Sequence, residues 1–428
     1  MVDRTGYAWS EVVDRDAVAH SPEQVDARAR ALLAQMTLGE KAAQMTGDSS
    51  WWGQFVEFVR GYNSRPITAG QGSRRGIPAI RFTDGPRGVV MYHSTCFPVS
   101  MARGASWDVE LEERIGDAIG VEARAQGANF FAGVCINLLR HPAWGRAQET
   151  YGEDPYHVGE MGAALVRGAQ RHVMACAKHY AANSIENARF KVDVRMSERV
   201  LREVYLPHFR RCVDEGVAAA MSAYNQVNGA YCGHNKHLLR DILKEEWGFR
   251  GFVMSDFVWG LRDGRAGALA GLDVEMPVGR YYGKRLVKLV EAGEVPLTVV
   301  DEAVLRILRR KIEFAQVGEP GRYRAEVVAG ATHRALARES AQKSMVLLKN
   351  EPAGGQGRLP LLPLDPARLR RIALIGRLAV EPNVGDLKGS STTRPTHVVT
   401  PLEGLRAALG AAAIDCCDGR NPARVADY

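Results

Sequence analysis

Short apolar runs alternate with amphipathic stretches between residues 79 and 314, and each apolar run stops at polar side chains. Ala79–Phe82, Asn129–Val134, Val173–Ala177, Val217–Ala223 and Gly251–Met254 have the length and bounding of buried strands. The stretches near 107–126, 197–214, 235–247, 284–292 and 298–314 carry helical spacing. A further helix starts at Pro155, with Asp154 as its N-cap. Strands that alternate with helices predict a parallel sheet with helical crossovers. A (β/α)8-like barrel would gather all strand exits on one face. A doubly wound open sheet would converge only the groups near its switch point.

The flanks read differently. Residues 1–20 form an extended lead-in. Ser21 caps a helix that runs to Met36 with Pro22 in its first turn, and Thr37 opens a second short helix. Residues 49–75, rich in Gly, Ser and aromatics, read as a surface loop. Beyond 314, Gly318, Pro320 and Gly321 suggest a linker, followed by a helix at 331–343 and the strands Met345–Lys349 and Arg371–Ile375. The expected organisation is a barrel over 1–314, a linker over 315–340 and a partial α/β sandwich over 341–428. The second domain shows few elements before Tyr428, so a fragment or a short version is expected.

Composition narrows the function classes. The 428 residues exceed one ordinary domain, and 46% apolar with 25% charged residues is an ordinary globular mixture. The net charge of +7 is spread along the chain, which argues against nucleic acid as a partner. Seven irregularly spaced cysteines contain no C-x-x-C pair, so neither a zinc site nor a redox motif is expected. No metal and no cofactor is expected. The start is polar and no run of about 18 apolar residues occurs, so no membrane partner is expected and the cytoplasm is the expected location.

The polar residues at the strand exits supply the candidate chemistry. Asp84, Lys178, His179, Tyr224 and Asp256 each follow an apolar run, and the turn His141–Arg146 presents Trp144 and Arg146. Asp256, at the end of Phe252–Ser255, is the pivotal residue. It is a carboxylate aimed into a pocket or, alternatively, the cap of the next helix. Glycoside cleavage needs such a carboxylate, donors for sugar hydroxyls and aromatic surfaces, for which Trp107, Trp144 and Trp259 are available. Arg146 as a plain ion-pair arginine and Tyr224 as a core phenol are the structural alternatives. Glu186 and Arg189 read equally as supporting or structural residues.

The chain resembles family 3 of the glycoside hydrolases, of the β-glucosidase type. The resemblance rests on Met36–Lys41, Asp84-Gly85-Pro86, Trp144-Gly145-Arg146, Tyr151–Pro155, Lys178–Asn183, Met221–Gly229 and Met254-Ser255-Asp256, in the family's order. It continues at Val346–Asn350 and Thr400–Leu405. It implies a (β/α)8-like barrel followed by an α/β sandwich, and a retaining mechanism with Asp256 as nucleophile. It implies that Asp84, Arg146, Lys178, His179 and Tyr224 bind the sugar, and that the substrate is a small carbohydrate or glycoside.

One departure accompanies the resemblance. In β-glucosidases of the family the acid/base glutamate comes from the sandwich, past the matched blocks, and Glu351, Glu381 and Glu403 lie in no matching motif. The family's other solution, a histidine in a loop after the Lys-His pair, is missing from Ala181–Glu186, which disfavours N-acetylglucosaminides. The expected activity is release of a terminal β-D-glucosyl residue. The alternatives are a β-xylosidase-type exo-hydrolase and a sugar-binding pseudoenzyme.

Overall fold

The computed structural model describes residues 21–71, 77–315, 320–352, 360–385, 389–409 and 413–420. The expected lead-in over 1–20 and Gly318 of the expected linker lie outside the described residues. The chain divides into two compact units, Met1–Ser344 with Lys388–Arg394, and Met345–Leu387 with Pro395–Tyr428.

The first unit is built on β1 (Ile67–Ala69), β2 (Ile80–Thr83), β3 (Phe130–Cys135), β4 (Met174–Tyr180), β6 (Ala219–Ser222) and β9 (Phe252–Ser255), in that spatial order. All neighbours are parallel but the first pair, which is antiparallel. A small separate sheet joins β5 (Asp193–Val194), β7 (Gln226–Val227) and β8 (Ala230–Tyr231). Every residue of β3, β4, β6 and β9 is buried, as a parallel sheet covered by helices requires. The crossover helices Val109–Ala125 and Pro155–Ala169 begin at Asp108 and Asp154, whose carboxylates accept from Leu111 N and His157 N.

The sheet curls back on itself through single-residue contacts. Met254 of β9 bridges Val274, Glu275 bridges Thr46, and Gly47 bridges Ala69 of β1. Gly47 N donates to Glu275 O at 2.8 Å, and Glu275 N donates to Met45 O at 2.9 Å. The expected barrel-like class is therefore present, with an antiparallel first stave and two staves reduced to bridges. A side chain at Gly47 would put its Cβ 2.2 Å from the carbonyl oxygen of Pro277, so the seam closes only over a glycine.

Four expectations change. Within 49–75, Trp51–Arg60 is a helix, not loop; its Gly and aromatics suggested irregularity, yet the helix exposes Trp51, Trp52, Phe55 and Val59. The single helix over 197–214 is broken into Glu198–Val200, a wider π-type turn over Leu201–Tyr205, and Pro207–Asp214. Pro207 has no N–H to continue the ladder. The described part of the expected linker 315–340 packs onto the first unit. Buried Glu122 accepts from Ala329 N and His333 Nδ1, and Arg114 pairs with Glu339. Finally, Met345–Lys349 is not a strand.

The second unit contains β10 (Arg371–Ile375) paired in parallel with β11 (Ala413–Cys417) and a helix Pro401–Leu409. Thr400 and Glu403 exchange backbone hydrogen bonds at that helix start, a capping box. Neither strand pairs with Met345–Lys349, and Leu348 is 91% exposed. Among the described residues no helix is long and apolar enough to cross a membrane.

Candidate active site

The strand exits bring the anticipated residues together. Asp84 follows β2, Lys178 and His179 lie on β4, Tyr224 follows β6 by two residues, and Asp256 follows β9 directly. Lys178 is in register with Met221, and Met221 with Met254, so β4, β6 and β9 end level. A regular strand would turn Lys178 and His179 to opposite faces. A register shift between Lys178 and Tyr180 breaks the alternation, and both side chains reach the same cluster.

Asp84 is 2% exposed and carries two partners. Oδ1 accepts from Lys178 Nζ, and Oδ2 accepts from the Tyr62 hydroxyl at 2.6 Å. Asn63 Oδ1 accepts from its backbone N–H at 2.7 Å. Burial works against the Lys178 charge, but its acidic neighbours together, Asp84 first among them, hold the ammonium above its ordinary range.

Arg146 projects from the turn after β3. Its Nη2 donates to Glu149 Oε2 at 2.7 Å and to Ser390 Oγ at 3.2 Å, and its Nη1 lies 3.0 Å from His179 Nε2. Because an arginine only donates, Nε2 of His179 is the acceptor. His179 Nδ1 then carries the proton and faces Asn137 Oδ1 at 3.3 Å. The neutral form agrees with burial, reinforced by Arg146 and Lys178, which together push the imidazole well below its usual range.

Asp256 is 7% exposed. Oδ1 accepts from Phe257 N at 2.7 Å; Oδ2 is buried without a hydrogen-bond donor among the described residues and lies 3.7 Å from His179 Nε2. The carboxylate therefore caps only its own neighbour and leaves one oxygen for a ligand. Burial raises its pKa, and Arg146 and Lys178 oppose the rise. Tyr224 donates to Phe257 O at 2.8 Å, and its ring stacks beneath the Arg189 guanidinium at 4.9 Å. Arg189 is itself held by Glu186 at 2.7 Å, and Glu186 also accepts from Trp144 Nε1 at 3.2 Å. Of the other aromatics considered, Trp107 stacks instead on His157.

Tyr62, Asn137 and Ser390 join the cluster without having been singled out, and Glu149 joins it through Arg146. Ser390 belongs to Lys388–Arg394, which is part of the first unit although its neighbours in sequence lie in the second. Its signal was a run of four hydroxyl residues, Ser390–Thr393, of which the last three are buried. A separate cavity of about 570 Å³ lies at the opposite ends of the strands, lined by Asp26, Arg250, Arg306, Arg309, Arg310 and Glu313 among others. It contains none of the clustered residues. Among the described residues no group of His, Cys, Asp and Glu could hold a metal ion.

Such a cluster can grip a polyhydroxylated ring with charged donors and acceptors while presenting one buried carboxylate oxygen to it. The chain is 37% identical over 396 residues to the thermostable beta-glucosidase B of Acetivibrio thermocellus, which covers 89% of this chain and 48% of that relative. It is 32% identical over 397 residues to an exo-alpha-(1->6)-L-arabinopyranosidase of Bifidobacterium breve, covering 87% of this chain and 48% of that relative. The chain thus spans about half the length of these relatives. The structure of beta-glucosidase 3B from Thermotoga neapolitana in complex with glucose superposes with a TM-score of 0.78 at 31% identity, covering 91% of this chain and 55% of that one. The family model described as "Glycosyl hydrolase family 3 N terminal domain" matches residues 24–310, the span that carries Asp84, Arg146, Lys178, His179, Tyr224 and Asp256. The chain belongs to glycosyl hydrolase family 3.

Proposed function

We propose that this chain provides the nucleophile and the sugar-binding subsite of a retaining exo-hydrolase that releases a terminal β-D-glucosyl residue from β-glucosides. The observation that carries the proposal is the buried Asp256 carboxylate. It has one oxygen fixed by Phe257 N and the other without a donor, beside neutral His179 and cationic Arg146 and Lys178. In this reading Asp256 Oδ2 attacks the anomeric carbon as the glycosidic C–O bond breaks and the aglycone leaves with its electron pair, and water then hydrolyses the glycosyl ester to free sugar and the Asp256 carboxylate. Asp84, Lys178, His179, Arg146 and Tyr224 hold the ring hydroxyls. Neutral His179 leaves the ionised form of Asp256 without a competing proton donor.

The attack requires ionised Asp256, and burial raises its pKa above the ordinary aspartate value of 3.8. The expected kcat/KM therefore falls on the acid side as pH drops through a value above 3.8. An acid limb at or below the ordinary value, in a pH profile on 4-nitrophenyl β-D-glucoside, contradicts the assignment.

The two glutamates nearest in this cluster are both held in ion pairs with arginines. Glu149 is paired with Arg146, and its carboxyl is held below the usual range, since that guanidinium overcomes the effect of burial. Glu186 is paired with Arg189. A nitrophenolate leaves without protonation, but a sugar alkoxide does not. The 428-residue chain is accordingly expected to release nitrophenol much faster than it cleaves cellobiose, with azide accelerating turnover of the glycosyl ester. Rapid cellobiose cleavage unaffected by azide would place a working acid in this cluster.

The similarity to an arabinopyranosidase supports a second reading, a pentopyranoside-specific exo-hydrolase. Comparing kcat/KM on 4-nitrophenyl β-D-glucoside, β-D-xyloside and α-L-arabinopyranoside separates the two.

A further inference from the structure

The turn that carries Asp256 also carries an exposed indole. Gly260 N donates to Asp256 O at 3.2 Å, Trp259 N to Phe257 O at 2.7 Å, and Val258 N to Met276 O at 3.0 Å. Val258, a β-branched residue, is held at φ +66°, a conformation that persists only where surroundings impose it. A side chain at Gly260 would place its Cβ 2.5 Å from Asp256 O, so the turn has no slack. Three peptide units put the Trp259 Cα at most about 11 Å from that of Asp256. The indole nevertheless remains 48% exposed.

The adjoining loop supplies a cation to that indole. The Arg280 guanidinium lies 5.5 Å from the Trp259 ring centroid and 5.0 Å from that of Tyr281. The loop is pinned from below, because buried Glu275 accepts from Tyr281 N and, at 2.7 Å, from Tyr282 N. The other cations of the cluster are matched, Arg146 by Glu149, Lys178 by Asp84 and Arg189 by Glu186. The Arg280 guanidinium has no ion pair or side-chain hydrogen bond among the described residues. Glu275, which feels its charge, spends its oxygens on backbone amides.

We propose that Trp259 and Arg280 form an aglycone subsite selective for aromatic leaving groups that bear a carboxylate, such as glucosides of hydroxybenzoic or hydroxycinnamic acids. The indole offers a face for the aryl ring. The guanidinium, stacked on that indole, offers a planar fork for the carboxylate. The inference rests on the hydrolase reading for its sugar half, but its aglycone half stands on the Trp259–Arg280 pair alone.

The test compares 4-carboxyphenyl and 4-carbamoylphenyl β-D-glucosides, which differ chiefly in charge. The ratio of their kcat/KM values is measured in the unaltered chain and in Arg280 variants, so intrinsic leaving-group reactivity cancels between proteins. Arg280→Gln is expected to lower the acid-to-amide ratio about two- to fivefold, the scale of an exposed ion pair. Arg280→Glu is expected to lower it further, Arg280→Lys to retain part of it, and added salt to shrink the difference. An equal ratio across all four proteins overturns the proposal. Trp259→Ala is expected to weaken both substrates together; if only the acid suffers, the indole is not the ring platform.

Binding of free 4-hydroxybenzoate and 4-hydroxybenzamide, followed by ligand-detected NMR, gives the same ratio without turnover. Arg280-dependent preference for the acid, in a chain that hydrolyses neither glucoside, rejects the hydrolase reading and keeps the subsite. Hydrolysis of both glucosides with no such preference does the reverse.

Discussion

Asp256→Asn is expected to lower turnover of 4-nitrophenyl β-D-glucoside by on the order of 10⁴-fold or more, the scale seen when a nucleophile is removed. An amide cannot form the glycosyl ester, and the good leaving group removes any dependence on a proton donor, so the loss reports the nucleophile alone. The amide fits the space of the carboxylate and still accepts from Phe257 N, and burial disfavours the charge it replaces. The melting temperature is therefore expected to hold or rise. A 2-fluoro glucoside should label Asp256 in the unaltered chain. A variant that keeps more than a tenth of its activity, or a label on another carboxylate, rejects the assignment.

The second large effect concerns stability. Read from the sequence, Lys178 is a sugar ligand whose removal would cost binding and little else. Its burial changes that expectation, because the side chains of Lys178 and Asp84 are 2% and 3% exposed. Removing one member of a buried ion pair strands the other charge, at a cost of about 3–5 kcal/mol. Lys178→Met is thus expected to lower the melting temperature by on the order of 10 °C as well as to abolish glucose binding. The double variant Asp84→Asn/Lys178→Met is expected to be more stable than Lys178→Met, since no isolated charge remains. A double variant whose destabilisation equals the sum of the singles would show that the pair carries no coupling.

The parts of the molecule that were legible in the sequence are those encoded locally. Apolar runs of strand length between helical stretches announced β3, β4, β6 and β9, and the polar residues that stop those runs are the ones gathered at the site. Pairings across long separations left no such trace. Ser390 reaches Arg146 across 244 residues, and Tyr62 reaches Asp84 from a segment that looked like loop. The register shift in β4, beside which Lys178 and His179 reach one cluster, is seen only in the pairing with β6 and has no signature in the residue types of β4. Met345–Lys349 has strand composition, but a strand exists only where it pairs with a partner, and neither β10 nor β11 pairs with it. Arg280 sat unnoticed in a Gly-rich stretch, because a cation acquires meaning only from the aromatic ring and the spent carboxylate beside it.

The closure of the curled sheet has a consequence for where the molecule opens. Between β3, β4, β6 and β9 the strands are joined by ladders of four residue pairs each, whereas β9 and β1 are joined through Val274–Glu275 and Thr46–Gly47 by isolated bridges. Amide hydrogens at this seam depend on few neighbouring bonds, so their exchange with solvent belongs to local openings far below the global unfolding free energy. Asp256 leaves the strand that borders the seam, while Lys178 leaves a strand in the middle of the ladder. Warming is then expected to loosen Asp256 before Lys178, and any hydrolysis that depends on Asp256 should fade at temperatures where most of the sheet is still protected.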